Sequence, residues 1–272
     1  MKRTPWMGCW LRSQLTAVLA SSLMWLMFGA VWPLLWLAGL VYGMVLVVGR
    51  HSRAGLGWRF GVRPASDLEQ RMVLAGIVPI AQLRGRLQPH VWVSRRPEIS
   101  VAMPTRSDLV IGPGLITGVV AERMPAEELS ALVSHALGQE PVRSSWLVAV
   151  VDVYCTPWRI IEVIIAKLAP TIRRIPLTGL AWRARWVVFV IAVVGAAQQG
   201  RWVGMVGAAV VAVLTWSTGF FNRRWLAVWV RLGDDQVRAD GLGGTLAAMI
   251  RRRSPALVDL ERADALSRGA NA

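Results

Sequence analysis

The sequence predicts a mostly α-helical integral membrane protein with about four transmembrane helices and a small α+β cytosolic domain. The first observation is hydropathy: 54% of the 272 residues are hydrophobic, with uncharged runs at Leu15–Val48, Trp186–Gln199 and Trp202–Phe221. The second is the content of 15 Trp, many of them near the ends of these runs, where indole rings favour the membrane interface. The third is the distribution of charge.

The formal net charge of +15 comes from the parts of the chain that also carry the apolar runs. Residues 1–66 have a net charge of +7 and residues 163–233 of +9, without one acidic residue in either segment. Residues 67–162 (−1) and 234–272 (0) are nearly neutral. Basic flanks of apolar segments are typical of cytoplasmic membrane surfaces, so this pattern indicates a lipid bilayer as partner and argues against nucleic acid.

The first apolar run predicts a transmembrane hairpin in residues 1–49. Leu15–Val48 is too long for one span and just long enough for two spans of about 17–20 residues. Gly29–Pro33 is the predicted turn, because Gly and Pro punctuate helices. A basic N-terminus before an apolar run is also typical of signal peptides. This run continues past the usual length and lacks a clean small-residue cleavage site, so we expect it to be retained.

A second hairpin is predicted in residues 171–222, with Gln198–Arg201 as its polar turn. Two spans in each hairpin place all the basic flanks in the cytoplasm, together with both chain termini. The Lys-poor, Arg-, Trp- and Ala-rich usage is typical of GC-rich bacterial or phage genomes, so the expected location is the bacterial cytoplasmic (inner) membrane. The flanking bases are Lys2, Arg3, Arg12, Arg50, Arg53, Arg59, Arg63, Arg173, Arg174, Arg183, Arg185, Arg223, Arg224 and Arg231.

The segment Trp146–Leu168 is apolar but contains Asp152, Pro157, Arg159 and Glu162. A single span here would place the arginines before the second hairpin outside the cell. We therefore predict a buried or interfacial pair of helices broken at Thr156-Pro157, with the acidic residues paired to Arg159.

The cytosolic domain is predicted in residues 50–170. We expect an amphipathic helix over Asp67–Leu83, strands at His90–Ser94 and Leu109–Gly112, and a short helix at Leu115–Val120. In the C-terminal segment, residues 223–272, Asp234–Arg252 predicts a helix, and the polar tail from Ser254 is expected to be loose.

Pro125–Glu140 (PAEELSALVSHALGQE) has the pattern of a metallopeptidase zinc helix without its chemistry. In an H-E-x-x-H helix, two histidines four residues apart hold zinc and the Glu activates the attacking water. His135 is at the first ligand position, but Ala136 replaces the base and Gln139 the second histidine. Alanine accepts no proton, and a neutral amide is a poor zinc ligand.

The order of these parts resembles the HtpX-like integral-membrane zinc metallopeptidases, relatives of the CaaX prenyl proteases. Glu127–His135 (EELSALVSH) resembles the family's lead into the zinc helix, and Gln236–Asp240 (QVRAD) resembles its E-x-x-A-D third-ligand motif. Val101–Pro104, followed by Leu109–Ile111 and Gly114–Ile116, resembles its N-A-F-A-x-P strand region. The resemblance covers about residues 10–250 and implies a gluzincin-like cytosolic domain between two membrane hairpins.

The departures from the family's pattern fall on its functional positions. Besides Ala136 and Gln139, Gln236 replaces the third ligand and Ile99 replaces the strand Asn. His135 is the one retained metal ligand, and Asp240 is retained from the groups that support the ligands. One histidine does not hold zinc, so we expect no cofactor, with zinc only if the site is rebuilt.

Two alternatives exist for the degenerate site itself. Gln139 and Gln236 are expected to hydrogen-bond each other or His135 in a neutral polar network. Alternatively, Asp234 or Asp235 supplies a carboxylate ligand through a shifted helix register.

Three functions fit these residues. The preferred one is a catalytically inactive membrane metallopeptidase homologue that binds or regulates membrane proteins or peptides, with edge-strand addition as the binding mode. The second is a divergent, active membrane zinc metalloendopeptidase. The third is a non-enzymatic four-span exclusion, immunity or scaffold protein.

Overall fold

The computed structural model describes residues 5–49, 52, 55–57, 61–83, 89–95, 101–105, 107–173, 187 and 190–268. The chain divides into two compact units. The helical unit comprises Met1–Val41 and Val151–Val228, and the α/β unit comprises Tyr42–Val150 and Trp229–Ala272. Several residues of the sequence analysis lie outside the described ones: Lys2, Arg3, Arg50, Arg53, Arg59, Ile99, Arg174, Arg183, Arg185 and Trp186.

The chain begins with two apolar helices, α1 (Pro5–Val31) and α2 (Pro33–Val48). The break between them falls at Trp32, within Gly29–Pro33, the segment that the sequence predicts as the turn of the hairpin. Pro33 explains its position, because proline suits the first residue of a helix and disfavours a helical residue before it.

Among the described residues, Trp6–Val31 is the one helix long and apolar enough to cross a membrane by length and composition, and Trp36–Val48 is a shorter apolar helix. In α1 the side chains of Leu23, Leu26 and Met27 are 64–71% exposed. The arrangement of four spans therefore stays a prediction.

The α/β unit contains a four-stranded sheet of β1 (Val62–Pro64), β2 (His90–Ser94), β3 (Val101–Thr105) and β4 (Asp108–Ile111), in the order β1-β2-β4-β3. β2 and β4 are parallel, whereas the two outer pairs are antiparallel. The strands predicted at His90–Ser94 and Leu109–Gly112 are confirmed as β2 and β4. The edge strand β3 pairs irregularly with β4 between Ala102 and Thr105.

Four helices accompany the sheet: α3 (Asp67–Gly76), α4 (Val78–Leu83), α5 (Pro113–Val120) and α6 (Ala126–Arg143). The prediction of one helix over Asp67–Leu83 was wrong in one respect, since the chain breaks at Ile77. The helix predicted at Leu115–Val120 is confirmed as α5. Alternate strand residues point to opposite faces of the sheet. The face toward the helices carries Val91, Val93, Met103, Leu109 and Ile111. The opposite face carries Trp92, Ala102 and Val110, which pack with Leu56.

Two helices follow, α7 (Trp146–Tyr154) and α8 (Thr156–Arg173). The predicted break is confirmed, but it falls at Cys155, one residue before Thr156-Pro157. The predicted ion pair is present between Arg159 and Asp152, at 2.6 Å. Glu162 instead accepts a hydrogen bond from Trp158 Nε1 at 2.7 Å.

The described residues that follow include a helical segment at residues 190–198 and three further helices, α9 (Trp202–Ala239), α10 (Gly243–Arg253) and α11 (Leu257–Arg268). The prediction of one helix over Asp234–Arg252 was wrong, because α9 ends at Ala239 and α10 begins at Gly243. Gly241, at φ +72°, supplies the left-handed residue that ends a helix.

The prediction of a loose tail from Ser254 was also wrong. Ala263 and Leu266 in α11 are fully buried against α10, because residues three apart lie on the same side of a helix. Polar and apolar residues alternate irregularly in α11, and Leu257 and Val258 are exposed, so the sequence does not distinguish the buried face.

Candidate functional site

The candidate site lies on α6, the central helix of the α/β unit. Leu129, Val133 and Ala136 pack α6 onto the sheet. Ala131 on another side contacts a second apolar cluster from α9, α10 and α11, formed by Val237, Leu246, Ala247, Met249, Ala263 and Leu266. α6 is therefore held between the sheet and the C-terminal helices.

Two glycines allow α6 and α9 to cross at close range. A Cβ atom on Gly138 would lie 2.7 Å from Cβ of Gln236 and would collide with the carbonyl oxygen of Leu232. A Cβ atom on Gly233 would collide with the imidazole of His135, with Cε1 only 2.6 Å away. Glycine in a helix interior costs about 1 kcal/mol relative to alanine, and the crossing explains why the cost is tolerated here.

At this crossing His135 meets Asp234 and Arg262. Nε2 of His135 lies 3.4 Å from Oδ1 of Asp234. Arg262, from α11, donates Nε–H to Oδ2 of Asp234 at 2.8 Å and Nη2–H to Oδ1 at 2.6 Å. The same Nη2 lies 3.1 Å from Nε2 of His135. Three separate helices thus contribute one side chain each to a single ionic cluster.

The two tautomers of a neutral His135 divide these contacts differently. With the hydrogen on Nε2, the ring donates to Asp234. With the hydrogen on Nδ1, Nε2 offers a lone pair to Arg262, which only donates. In both forms the positive guanidinium contacts the histidine ring and the carboxylate together.

Asp234 is buried, with 7% of its side chain exposed. Burial by itself would raise the pKa of its carboxyl group, because it disfavours the charged form. The hydrogen bonds from His135 and Arg262 outweigh burial and hold the pKa of Asp234 below its ordinary value. The site therefore contains a buried carboxylate that depends on its cationic partner.

Gln139 forms part of the predicted polar network. Its Nε2 lies 3.4 Å from Nδ1 of His135 and 3.4 Å from the carbonyl oxygen of Trp229. These are long contacts at the limit of hydrogen bonding. The prediction that Gln139 contacts His135 is confirmed.

Gln236 has a different partner from the predicted ones. Its Nε2 donates to both carboxylate oxygens of Asp240 at 3.2 Å. Asp240 also accepts a hydrogen bond from Ser134 Oγ at 2.6 Å, which ties the end of α9 to α6. Asp240 thus bridges the two helices. Its partner on α6 is Ser134, the residue before His135.

The residues at the crossing do not fit zinc. A zinc site needs three or four protein ligands, with negative or neutral donors directed at the metal. Here the two strongest donors, His135 Nε2 and Asp234, already share a guanidinium, and the remaining groups are the amides of Gln139 and Gln236. In the described part of the chain, no three His, Cys, Asp or Glu side chains are placed to share a metal ion.

The structure adds three site residues to those predicted from sequence: Arg262, Gly138 and Gly233. The carboxylate in contact with His135 is Asp234, which the sequence analysis gave as an alternative that needs a shifted helix register. Gln236, at the motif's third-ligand position, lies beside it. The sequence contained one indication of a close helix crossing, namely a glycine inside each of the two helices. Nothing in the sequence pattern connects Arg262 with His135, which is 127 residues away.

No protein-family model, curated protein or solved structure significantly matches the chain.

Proposed function

We propose that this chain is a non-catalytic, membrane-embedded homologue of the HtpX-like zinc metallopeptidases, which binds extended segments of membrane proteins or peptides without cleaving them. The observation that carries the proposal is the crossing of α6 and α9. It places His135 beside Gly233 and Asp234 of α9 and Gly138 against Gln236, the pairing that the family's motif order implies. On this proposal the crossing corresponds to the family's metal centre, with hydrogen bonds among its side chains in place of metal ligation.

The absence of a base at position 136 argues against hydrolysis. Zinc peptidases need a general base within reach of the attacking water. Ala136 has only a methyl group, which is 1% exposed and belongs to the apolar core on the sheet. Of the acidic residues close by in sequence, Glu128 is paired with Arg252 of α10.

We assign the binding role to the edge strand β3. It is the last strand of the sheet, but its three central residues are buried and α6 packs beside it, so an added peptide must first displace the side chains that cover the strand. Pro104 and the irregular pairing with β4 are features of edge strands, because proline donates no hydrogen bond to a neighbouring strand. An extended peptide that adds to β3 would bind mainly through its backbone, so a range of sequences would be accepted.

The membrane location rests on the apolar and basic segments. α1 meets the length and composition of a span. Both strongly basic segments flank apolar runs, which supports two hairpins with cytoplasmic ends in a bacterial inner membrane. The α/β unit would then meet its partners on the cytoplasmic side.

The test uses the detergent-purified full chain and fluorescent casein as an unfolded probe. A benzophenone amino acid replaces Val101 at the start of β3 in one variant, and the exposed Thr117 of α5 in the control. We expect light-dependent cross-links to casein from position 101, weak cross-links from position 117, and no casein fragments with added zinc.

The other outcomes distinguish the alternatives. Casein fragments that need zinc and disappear in His135→Ala would support an active metallopeptidase. Equal or no cross-linking at the two positions, without cleavage, would contradict edge-strand binding and favour the four-span scaffold or immunity protein.

A further inference from the structure

We propose that the guanidinium of Arg262 is a built-in cation that takes the place of a metal ion between His135 and Asp234. One cationic group contacts both the imidazole of His135 and the carboxylate of Asp234 at the crossing of α6 and α9. The inference rests on the proposed relationship to metallopeptidases. The experiments below measure metal content and melting temperature, so they test the inference independently of peptide binding.

The geometry is that of one cation shared by two ligands. Nη2 of Arg262 lies 2.6 Å from Oδ1 of Asp234 and 3.1 Å from Nε2 of His135. Nε completes a two-point contact with the carboxylate at 2.8 Å. Arginine suits this position, because its planar group matches a carboxylate and stays charged when partly buried.

Burial makes the cation necessary. The side chain of Asp234 is 7% exposed, and that of Arg262 is 28% exposed. A buried carboxylate without a partner is strongly unfavourable. In a metallopeptidase the metal balances such charge, whereas here α11 delivers the charge from within the chain.

The same contact gives the C-terminal hairpin of α10 and α11 a defined role. Ala263 and Leu266, which follow Arg262 in α11, are fully buried in the apolar cluster with Ala131 and Val237. A Cβ atom on Gly243 of α10 would lie only 2.8 Å from the carbonyl oxygen of Leu266, so the two helices are closely packed. The hairpin therefore holds the guanidinium in place without an external ligand.

The test restores metal ligands with and without Arg262. Gln139→His recreates two histidines four residues apart on α6, and Asp234 is the third donor. We compare Gln139→His, Gln139→His/Arg262→Leu and His135→Ala/Gln139→His/Arg262→Leu as full chains in detergent. Leucine keeps the apolar stem of Arg262 and removes its charge.

We expect about one zinc per chain in the double variant, with a rise in melting temperature of about 5 °C or more at micromolar zinc. Gln139→His alone and the triple variant should bind little zinc. Equal zinc binding by Gln139→His alone would overturn the inference, because Arg262 would then not occupy the position of the metal. Zinc binding by neither the single nor the double variant would overturn it as well.

Asp234→Asn supplies a second test that leaves Arg262 in place and does not depend on the folding of the double variant. It leaves the guanidinium without its carboxylate, so the melting temperature should fall by about 5–10 °C. An unchanged melting temperature would contradict the role of Arg262 as a necessary counter-charge.

Discussion

Arg262 donates two hydrogen bonds to the carboxylate of Asp234, at 2.8 and 2.6 Å, and so joins the last helix of the chain to the end of α9. The two residues are 28 positions apart, and His135 of α6 contacts both. The contact therefore ties α6 and α11 to the C-terminal part of α9 through a buried carboxylate.

A double-mutant cycle should show strong coupling between these two residues. Arg262→Ala leaves the carboxylate of Asp234 buried without its cation and should cost about 3 kcal/mol, whereas Asp234→Ala leaves a guanidinium that is 28% exposed and should cost less. The double variant should cost much less than the sum, with a coupling energy of about 1–3 kcal/mol. The measurement is chemical unfolding of the detergent-purified chain, followed by tryptophan fluorescence.

The same hairpin contains a control pair. Arg251 and Asp264 form an ion pair at 2.7 Å with 44% and 63% of their side chains exposed. Solvent screens such pairs, so Arg251→Ala and Asp264→Ala should each change stability by less than about 1 kcal/mol. Equal effects at the two pairs would show that burial does not decide the strength of the Arg262 contact.

Gly233→Ala should disrupt the site directly. The added methyl group would collide with the ring of His135, so the ring must leave Asp234 and Arg262 or α9 must move away from α6. We expect a loss of about 2 kcal/mol or more, measured by the same unfolding assay.

Gly244→Ala in α10 is the matched control for this substitution. A Cβ atom there meets nothing within 4 Å, so alanine should be neutral or slightly stabilising through reduced freedom of the unfolded chain. A similar loss from both variants would argue against a tight helix crossing at Gly233.

The sequence predicted those parts of the fold that depend on local pattern. Alternation, helical periodicity and punctuation by Gly and Pro predicted the strands β2 and β4, the helices α5 and α6 and the helix break before Pro33. The contact of His135 with Gln139 was predictable because residues four apart on one helix are neighbours.

The sequence could not fix the partner of His135 on α9. Asp234 and Gln236 are two residues apart and thus differ by about 200° around the helix. The motif alignment selected Gln236, whereas the close approach at Gly233 directs Asp234 to the imidazole. Arg262 was missed because it is 127 residues from His135 in the sequence, and only the packing of α11 on α10 brings it to the site.

Acid should weaken the start of α3 through Glu69. Ser66 and Glu69 form a capping box, and Glu69 also accepts hydrogen bonds from Arg63 at 2.7 and 2.9 Å. The hydrogen bonds from Arg63 are the largest cause that lowers the pKa of Glu69 from 4.5 to about 2, against the opposing effect of burial. Because the folded-state pKa is the lower one, this stabilisation is complete above about pH 4.5 and is lost as the pH falls towards 2.

Glu69→Gln should cost about 1 kcal/mol at pH 7, a value reduced for the 43% exposure of the Arg63 side chain. The variant should also lose less stability than the wild type between pH 5 and pH 3, measured by thermal unfolding. Glu261→Gln, at an exposed position of α11, is the control and should follow the wild-type profile. Parallel curves for Glu69→Gln and the wild type would show that the capping box does not carry the acid sensitivity.

Thiol labelling should report the number of spans. Cys9 and Cys155 are first replaced by alanine, and single cysteines are then introduced at Gln199, in the predicted turn of the second hairpin, and at Glu261 in α11. Four spans put Gln199 outside and Glu261 in the cytoplasm. A membrane-impermeant maleimide applied to intact bacterial spheroplasts should therefore modify the cysteine at 199 and reach that at 261 only after lysis. Modification of both positions before lysis, or of 261 alone, would contradict two cytoplasmic-ended hairpins and would require an odd number of spans or a different orientation of the chain.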